Sequence, residues 1–286
     1  RLKGQPREDA MNHFRGKKVF ITGGSSGIGA AAARLLASWG ADVWIGARGE
    51  AKLATALEGA RALAVDSGQV FGSTAVDVSD KASVQSAAAE VLAGLGGLDI
   101  LINNAGIAHP ATVLETPDEV FDSMMQVNYF GTVNVTRAFL PHFYAQKRGH
   151  VCNVGSMLGF MGIYGYTAYA SSKYAITGFS DCLRQEFIDH GIGITVVFPP
   201  DTDTPQLAAE NAIKPPETKA IAGEVKMMSA EAVAGAMLKG IAKGTYHVVP
   251  GFMGGFTYWA YRHMPWLVRL IIDSALKSYR KKNPIT

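Results

Sequence analysis

The sequence has few of the features that define several common classes of protein. It contains only two cysteines, Cys152 and Cys182, and neither has a metal-type neighbour, so we expect reduced core thiols in a cytoplasmic setting. Its seven histidines are scattered without zinc-ligand spacing, and no metal site is predicted. A net charge of +3 is too small for a nucleic-acid binder.

What the sequence does contain is an alternation of apolar, strand-length runs with longer segments of helical period. This alternation is typical of repeated βα units around a parallel sheet that is buried on both faces. It predicts an α/β, doubly wound Rossmann fold of about seven strands, with ligands at the carboxyl ends of the strands. The predicted strands are Lys18 to Thr22, Asp42 to Ala47, Val70 to Val78, Ile100 to Asn103, His150 to Val154, Ile194 to Phe198 and His247 to Val249.

Changes in composition divide the chain into three parts. Residues 1–16 form a polar N-terminal tail, residues 17–251 the catalytic domain, and residues 252–286 an aromatic and basic C-terminal extension. Within the domain, residues 199–228 are polar and punctuated by proline. A stretch of that length is typical of a lid or binding loop.

A glycine-rich turn follows the first predicted strand and opens a helix. Backbone N–H groups at such a helix start, together with the helix dipole, bind a pyrophosphate. We therefore expect a dinucleotide at Gly23, Ser25, Ser26, Gly27, Ile28 and Gly29.

The second strand ends in an arginine instead of an acidic residue. A carboxylate at this position would bind the ribose of NAD, whereas the guanidinium of Arg48 suits a 2′-phosphate. NADPH is therefore the expected cofactor. Asp77 and Val78, at the end of the third strand, are expected beside the adenine, and Asn104, Ala105 and Gly106, after the fourth, beneath the adenine ribose.

Ser156, Tyr169 and Lys173 are the candidate catalytic residues. A lysine four residues after a tyrosine lies on the same helix face, where its ammonium stabilises a phenolate. Tyr164 and Tyr166 have no such lysine, and Ser156 ends a strand thirteen residues before Tyr169. This set is suited to protonating an alkoxide, so the sequence predicts reduction of a carbonyl.

Across residues 17–251 the chain resembles a short-chain dehydrogenase/reductase. The resemblance rests on the turn Thr22 to Gly29, the run Asn103 to Gly106, Asn128, Ser156, Tyr169 and Lys173, at the order and spacing of that family. It implies that Tyr169 is the acid, that Ser156 polarises the carbonyl, and that Lys173 holds the nicotinamide ribose and lowers the pKa of Tyr169. It also implies that Asn128 anchors a water in a proton relay.

One segment departs from the family pattern. The family usually has Pro-Gly after the sixth strand and then a threonine at the nicotinamide, whereas here Pro199 and Pro200 precede Thr204. The segment from Pro199 to Thr218 resembles a narrower branch, the 3-ketosphinganine reductases. That resemblance implies a long-chain sphingoid ketone as substrate, with Asp201, Asp203 or Glu217 at its amino group.

Two other functions remain open at this stage. The first is reduction of another lipophilic ketone, such as a 3-oxoacyl thioester, a steroid or a retinoid-like ketone, because the catalytic residues do not discriminate among these. The second is a protein that binds NADPH as a sensor or scaffold without catalysis. An intact Ser156, Tyr169 and Lys173 disfavour that second function.

The C-terminal extension combines aromatic residues with a basic end. Arg262, His263, Pro265 and Arg269 interrupt its apolar sequence, which is therefore too short for a spanning helix. We expect an amphipathic interfacial helix that attaches the protein to the cytoplasmic face of a membrane. The alternative is packing against a second subunit, since we also expect a homo-oligomer.

Overall fold

The computed structural model describes residues 11–223 and 227–284, so most of the predicted tail at residues 1–16 lies outside it. Its centre is a parallel sheet in the order β3-β2-β1-β4-β5-β6-β9. The strands are β1 (Lys18–Thr22), β2 (Asp42–Ala47), β3 (Phe71–Ala75), β4 (Ile100–Asn103), β5 (Gly149–Val154), β6 (Ile192–Val197) and β9 (His247–Val248). The order reverses between β1 and β4, which confirms the predicted doubly wound sheet of seven strands.

Helices cover both faces of the sheet because successive side chains along each strand point to opposite faces. In β1, Val19 and Ile21 pack into one buried cluster, whereas Phe20 packs into another on the opposite face. The helices are α1 (Gly27–Ser38), α2 (Glu50–Arg61), α3 (Lys81–Leu95), α4 (Asp118–Met124), α5 (Gly131–Gln146), α6 (Thr167–Glu186), α7 (Pro205–Ile213), α8 (Pro216–Ala222), α9 (Ala230–Ala242), α10 (Phe252–His263) and α11 (Pro265–Lys282). Helices α1 and α9 contribute to the first cluster, and α3, α5 and α6 to the second.

Three predicted strands were too long at their carboxyl ends, among them the sixth, which ends at Val197 instead of Phe198. The third ends at Ala75 instead of Val78, because Asp77 accepts hydrogen bonds from the backbone and hydroxyl of Ser79 in a turn. The last ends at Val248, two residues before Pro250.

The predicted lid loop at residues 199–228 is largely helical, which corrects the sequence prediction. The segment contains α7 and α8, framed by two short paired strands, β7 (Thr202–Asp203) and β8 (Met228–Ser229). Pro205 and Pro216 begin the two helices, where a missing N–H costs nothing. The prolines that indicated a loop are therefore helix starts. Residues 224–226 lie outside the described residues.

The C-terminal extension folds into α10 and α11, which meet at Met264 and Pro265. Val268 and Ile272 of α11 pack against the buried cluster that contains Phe160 and Phe198. Other apolar side chains of the two helices are exposed, namely Phe252, Met253, Phe256, Trp259, Trp266, Leu270 and Ile271. Among the described helices, none combines the length and the apolar character needed to cross a bilayer.

The two cysteines differ in environment. Cys152 is fully buried in β5, and its burial raises the pKa of its thiol. Cys182 is exposed on α6, so the prediction that both are core thiols was wrong for this residue. Cys182 does lie in a helix, as predicted, but on its solvent-exposed side together with Asp181 and Arg184.

Candidate active site

The carboxyl ends of the central strands open into one cavity of about 1480 Å³. The segments that follow β1, β2, β4, β5 and β6 all contribute to its wall, as the doubly wound topology predicts. Residues of α7, α8, α10 and α11 complete its lining. The extension is thus part of the same cavity as the sheet edge.

The glycine-rich turn lies at one end of this cavity. Ser25, Ser26, Gly27 and Ile28 line it, and α1 begins there. Ser26 is the N-cap residue of α1, yet its side chain makes no capping hydrogen bond, so its hydroxyl is available to a ligand. Helix-start N–H groups and this hydroxyl fit a pyrophosphate.

Two glycines of the turn have no space for a side chain. Gly23 has a φ of +67°, and a Cβ there would lie 2.9 Å from the Cα of Ala105. A Cβ on Gly29 would lie 2.4 Å from the carbonyl oxygen of Gly23. Gly29 itself does not line the cavity; it allows α1 to pack closely beneath the turn.

We expect Gly29→Ala to lower the free energy of unfolding by about 1–3 kcal/mol and to weaken cofactor binding, because the new methyl group must displace backbone. Thermal unfolding and cofactor titration measure the two effects. Gly59→Ala is the matched control, since it is also helical but has open space around it, and it should stabilise the protein by about 0.5–1 kcal/mol. Equal stability of the Gly29 and Gly59 variants would contradict the close packing.

The end of β2 presents two cations to the cavity. Arg48 follows the strand directly, and Lys52 lies in the first turn of α2. Both are exposed, and the charge of Arg48 helps to lower the pKa of Asp77, after its hydrogen bonds with Ser79. Arg48, Asp77 and Val78 thus share this end of the cavity as predicted. Sequence reasoning missed Lys52, although its position four residues after Arg48 on a helix start was the available signal.

The loop after β4 is fixed by hydrogen bonds to the loop after β1. Asn104 donates through its side chain to the carbonyls of Thr22 and Gly23, at 3.0 and 3.1 Å. Asn104, Ala105 and Gly106 line the cavity, but the Asn104 amide is used to tie the two loops together. A Cβ on Gly106 would lie 3.1 Å from Asn128 Oδ1 and 3.4 Å from Lys173 Nζ.

Ser156, Tyr169 and Lys173 meet on the wall of the same cavity. Ser156 follows β5, and its hydroxyl accepts a hydrogen bond from the Leu158 N–H at 3.1 Å. Tyr169 and Lys173 lie one turn apart in α6, both buried. The Lys173 ammonium donates to the carbonyl of Val154 at 3.1 Å and lies 5.7 Å from the centroid of the Tyr169 ring.

Burial sets the protonation of this pair. The pKa of Tyr169 is raised, first by burial and then by the charge of Glu210, while a hydrogen bond with Ser156 partly lowers it. The resemblance implied that Lys173 lowers the pKa of Tyr169, but the net shift of this pKa is upward because desolvation dominates. The Lys173 ammonium lies over the Tyr169 ring and donates to the Val154 carbonyl. Burial lowers the pKa of Lys173 to about 8, and the charge of Glu210 opposes this. Tyr169 thus holds a proton that it can donate.

Asn128 lies behind the catalytic pair in a π-helical turn, Met125–Phe130, and is fully buried. Its side chain forms two hydrogen bonds with the backbone of Ile107, at 2.8 and 3.0 Å, and donates to the hydroxyl of Ser172 at 2.9 Å. These bonds hold the loop after β4 against α6. The predicted role of Asn128 in a water relay stays a prediction.

Pro199 and Thr204 line the cavity where β6 ends, as predicted. The Pro199 carbonyl accepts from the Met157 N–H at 3.1 Å. Thr204 is the N-cap of α7, and its hydroxyl oxygen accepts from the Leu207 N–H at 3.2 Å. A Cβ on Gly27 would lie 3.0 Å from Thr204 Cγ2, so this threonine packs directly on the glycine-rich turn.

Only one of the three predicted substrate carboxylates lines the cavity. Asp201 does so, and its Oδ2 lies 3.8 Å from the ammonium of Lys214. Asp203 is exposed in β7 and Glu217 lies in α8; neither is among the lining residues. In β7 the side chain of Thr202 is buried and that of Asp203 is exposed, because successive side chains of a strand point to opposite faces.

Glu210 is a second residue of the cavity wall, besides Lys52, that sequence reasoning missed. It lies in α7, lines the cavity, and accepts hydrogen bonds from the Tyr166 hydroxyl at 2.8 Å and from Gln206 Nε2 at 3.0 Å. Glu210 lies in the segment that resembles 3-ketosphinganine reductases. Because that segment was predicted to be a loop, no helical period indicated which of its side chains line the cavity. Over residues 11–223 and 227–284, no cluster of three or more His, Cys, Asp or Glu side chains is arranged to bind a metal.

The fold and the site together define a nicotinamide-dependent oxidoreductase. The sequence pattern of the family described as short chain dehydrogenase matches residues 17–214. The chain therefore belongs to the short-chain dehydrogenase/reductase family. A crystal structure of a family member from Burkholderia phymatum in complex with NAD has the same fold, with a TM-score of 0.76 at 24% identity over 89% of this chain and 96% of that one.

Two curated relatives are similar over most of the chain. A 3-dehydrosphinganine reductase of Danio rerio is 38% identical over 82% of this chain and 70% of its own. The 3-dehydrosphinganine reductase TSC10B of Arabidopsis thaliana is 39% identical over 83% and 71%. The branch indicated by the segment after β6 is thus also the branch of these relatives.

Proposed function

We propose that this protein reduces the ketone of 3-ketosphinganine to sphinganine with NADPH, as a step of sphingolipid synthesis. The observation that supports this most directly is the single cavity, which joins the phosphate-binding turn to Ser156, Tyr169 and Lys173 and continues between apolar side chains of α10 and α11. Such a cavity suits a ketone on a long hydrocarbon chain. The names of the Danio rerio and Arabidopsis thaliana relatives favour a sphingoid ketone in particular.

In this mechanism Tyr169 donates its phenolic proton to the ketone oxygen, and the Ser156 hydroxyl stabilises the negative charge that develops there. The hydride for the carbonyl carbon comes from the nicotinamide when the cofactor is bound. Lys173 stabilises the phenolate that remains after proton transfer, because its ammonium lies 5.7 Å from the ring centroid. Asn128 holds the loop after β4 in position beside it.

NADPH is favoured over NADH by charge. Arg48 and Lys52, which follow β2, line the cavity. The strand ends with Gly46 and Ala47 and is followed by Arg48, without a carboxylate that could accept a hydrogen bond from a ribose 2′-hydroxyl. Ser25 and Ser26 add hydroxyl groups to the same region. Two cations and two hydroxyls suit a 2′-phosphate.

Cofactor oxidation by the purified protein tests the function directly. We expect rapid NADPH oxidation with 3-ketosphinganine and much slower oxidation with a 3-oxoacyl thioester, a steroid ketone or a retinoid-like ketone, and with NADH in place of NADPH. If the protein reduced only one of the other ketones, it would still be an oxidoreductase, but the proposed sphingoid substrate would be wrong. NADPH binding without turnover of any ketone would support the sensor or scaffold function.

We expect kcat/KM for ketone reduction to fall as the pH rises above about 8. The pKa of Lys173 is lowered to about 8, chiefly by burial, so its ammonium is present below that pH and lost above it. Tyr169 keeps its proton to higher pH because its own pKa is raised. Initial rates between about pH 6 and about pH 10 measure the profile. Lys173→Arg keeps its charge throughout, so its profile should be flat; an equally flat parent profile would show that Lys173 does not titrate here.

We also propose that the protein attaches peripherally to a membrane through α10 and α11. Phe252, Met253, Phe256 and Ile271 line the cavity and are at the same time exposed, so its mouth is an apolar rim. Trp259, which stacks on Phe256, and Trp266 are also exposed on these two helices, and Arg280, Lys281 and Lys282 form the basic end of α11. Aromatic residues beside basic ones suit the headgroup layer of anionic lipid. The cytoplasmic face as the site of attachment stays a prediction.

Combined substitution of Trp259 and Trp266 by alanine should weaken binding to vesicles of mixed neutral and anionic lipid by about tenfold or more, since each indole removes apolar area from water. Vesicle sedimentation measures the bound fraction. Ile188→Ala is the matched control, because Ile188 is also an exposed apolar residue (69%, against 61% for Trp266) but lies outside the extension. Unchanged vesicle binding of the double variant would refute membrane attachment through this rim.

The alternative occupant of the rim is a second copy of the chain. In that case the double tryptophan variant would shift the molar mass measured by light scattering, without any effect on vesicles. Homo-oligomer formation itself stays a prediction, and the same measurement on the parent protein tests it.

A further inference from the structure

Glu210 is a carboxylate inside the substrate cavity that the proposed reduction does not use. It lies on α7 with 8% of its surface exposed, although ionised carboxylates are seldom buried without a partner. Both of its side-chain oxygens accept hydrogen bonds, Oε2 from the Tyr166 hydroxyl at 2.8 Å and Oε1 from Gln206 at 3.0 Å. The carboxylate is thus held in a fixed position.

The two donors to Glu210 are neutral. Among the described residues, no ammonium or guanidinium lies within 4.0 Å of its carboxylate oxygens. The nearby Lys214 pairs with Asp201 instead, with 3.8 Å between its Nζ and Oδ2. A buried carboxylate that accepts hydrogen bonds but has no counter-ion is stabilised by a cationic ligand, which supplies the missing positive charge.

Glu210 is also close enough to the catalytic pair for its charge to act on both members. It raises the pKa of Tyr169, after burial, and it opposes the lowering of the pKa of Lys173. The connection runs through Tyr166, whose ring centroid lies 5.7 Å from that of Tyr169 and whose hydroxyl donates to Glu210. Tyr169, Tyr166 and Glu210 thus line one continuous part of the cavity wall, where a substrate with its carbonyl at Tyr169 would lie.

We propose that Glu210 is the specificity-determining residue that binds an ammonium group on the carbon next to the ketone. The substrate class is thus the long-chain α-ammonium ketones, which deepens and rests on the function proposed above. Asp201 is paired with Lys214, and neither Asp203 nor Glu217 lines the cavity, so the other predicted carboxylates are less suited to this role. An ammonium also neutralises the charge that raises the pKa of Tyr169, and so assists proton transfer.

The test uses pairs of ligands that differ only in the amino group. We expect Glu210→Gln, which keeps an acceptor for Tyr166, to lower kcat/KM for 3-ketosphinganine by roughly 10- to 100-fold. The same variant should not lower kcat/KM for the long-chain hydroxyketone without the amino group; that value should stay equal or rise, because loss of the Glu210 charge removes one cause of the raised pKa of Tyr169. Glu210→Asp keeps the charge and should retain part of the preference. Glu186→Gln is the control, because Glu186 is an exposed glutamate at the end of α6. This variant should leave kcat/KM unchanged for both substrates.

Equilibrium binding separates this proposal from the proposed function. Titration with sphinganine, and with the matching diol that lacks the amino group, measures recognition without turnover. We expect Glu210→Gln to weaken binding of sphinganine by about tenfold and to leave the affinity for the diol unchanged. Equal losses for both ligands or for both substrates, or a parent protein that does not prefer the amine, would overturn the role of Glu210. Preference for the amine in binding without reduction of 3-ketosphinganine would instead overturn the proposed reaction and keep Glu210 as an ammonium site.

Discussion

Tyr169→Phe should lower kcat for ketone reduction by about 10²- to 10⁴-fold, the usual contribution of a positioned general acid. The substitution removes the hydroxyl that carries the proton and leaves the ring that packs between Tyr166 and Lys173. Because the pKa of Tyr169 is raised, the parent residue holds this proton across the physiological range. Single-turnover reduction with bound NADPH measures the loss at the chemical step.

Tyr144→Phe provides the control for loss of a tyrosine hydroxyl. Tyr144 lies in α5, stacks on His190 at a centroid distance of 3.9 Å, and is not among the residues that line the cavity. Its variant should reduce ketone at the parent rate. If a correctly folded Tyr169→Phe protein also did so, Tyr169 would not be the acid, and the proton would have to come from another group on the cavity wall.

Arg48→Glu should change the preference for NADPH over NADH by about 100-fold in favour of NADH. The variant removes a charge-assisted hydrogen bond to the 2′-phosphate and places a repelling carboxylate at the end of β2. The same carboxylate is suited to the ribose 2′-hydroxyl of NADH. Titration with each cofactor measures binding, and the ratio of kcat/KM values measures its effect on turnover.

Arg61→Glu tests whether a general change of surface charge has the same effect. Arg61 ends α2, pairs with Glu58 at 3.3 Å, and does not line the cavity. Its variant should leave the ratio of the two cofactors unchanged. A parent protein that binds both cofactors equally would refute the role of Arg48, and a preference that survives in Arg48→Glu would move the role to Lys52.

Much of the cofactor and catalytic region was predictable because its motifs are local. Strand β1, the turn and the start of α1 are continuous in sequence, so the turn could be recognised from a short segment, although the atoms that exclude a side chain at Gly23 and Gly27 come from Ala105 and Thr204. Tyr169 and Lys173 are one helical turn apart, so helical period alone puts them on one face. The resemblance to the family was confirmed over residues 17–214.

The substrate side of the site was less predictable. Proline in the segment after β6 is typical of both loops and helix starts, and only packing of α7 and α8 over the cavity selects between them. In α7 the side chain of Glu210 lines the cavity, whereas that of Glu217 in α8 does not. The raised pKa of Tyr169 was not predictable either, since the desolvation that raises it depends on atoms from distant parts of the chain.

The sequence by itself determined the doubly wound sheet, the position of the glycine-rich turn and the pairing of Tyr169 with Lys173, because each depends on residue types at fixed short separations. Tertiary structure alone decided that Glu210 and Tyr166 meet at 2.8 Å across 44 residues, and that α10 and α11 form the apolar wall of the cavity. The physical reason is that periodicity fixes which face of an element is buried. What a buried face contacts, and which charges lose their water there, depends on the packing of the whole chain.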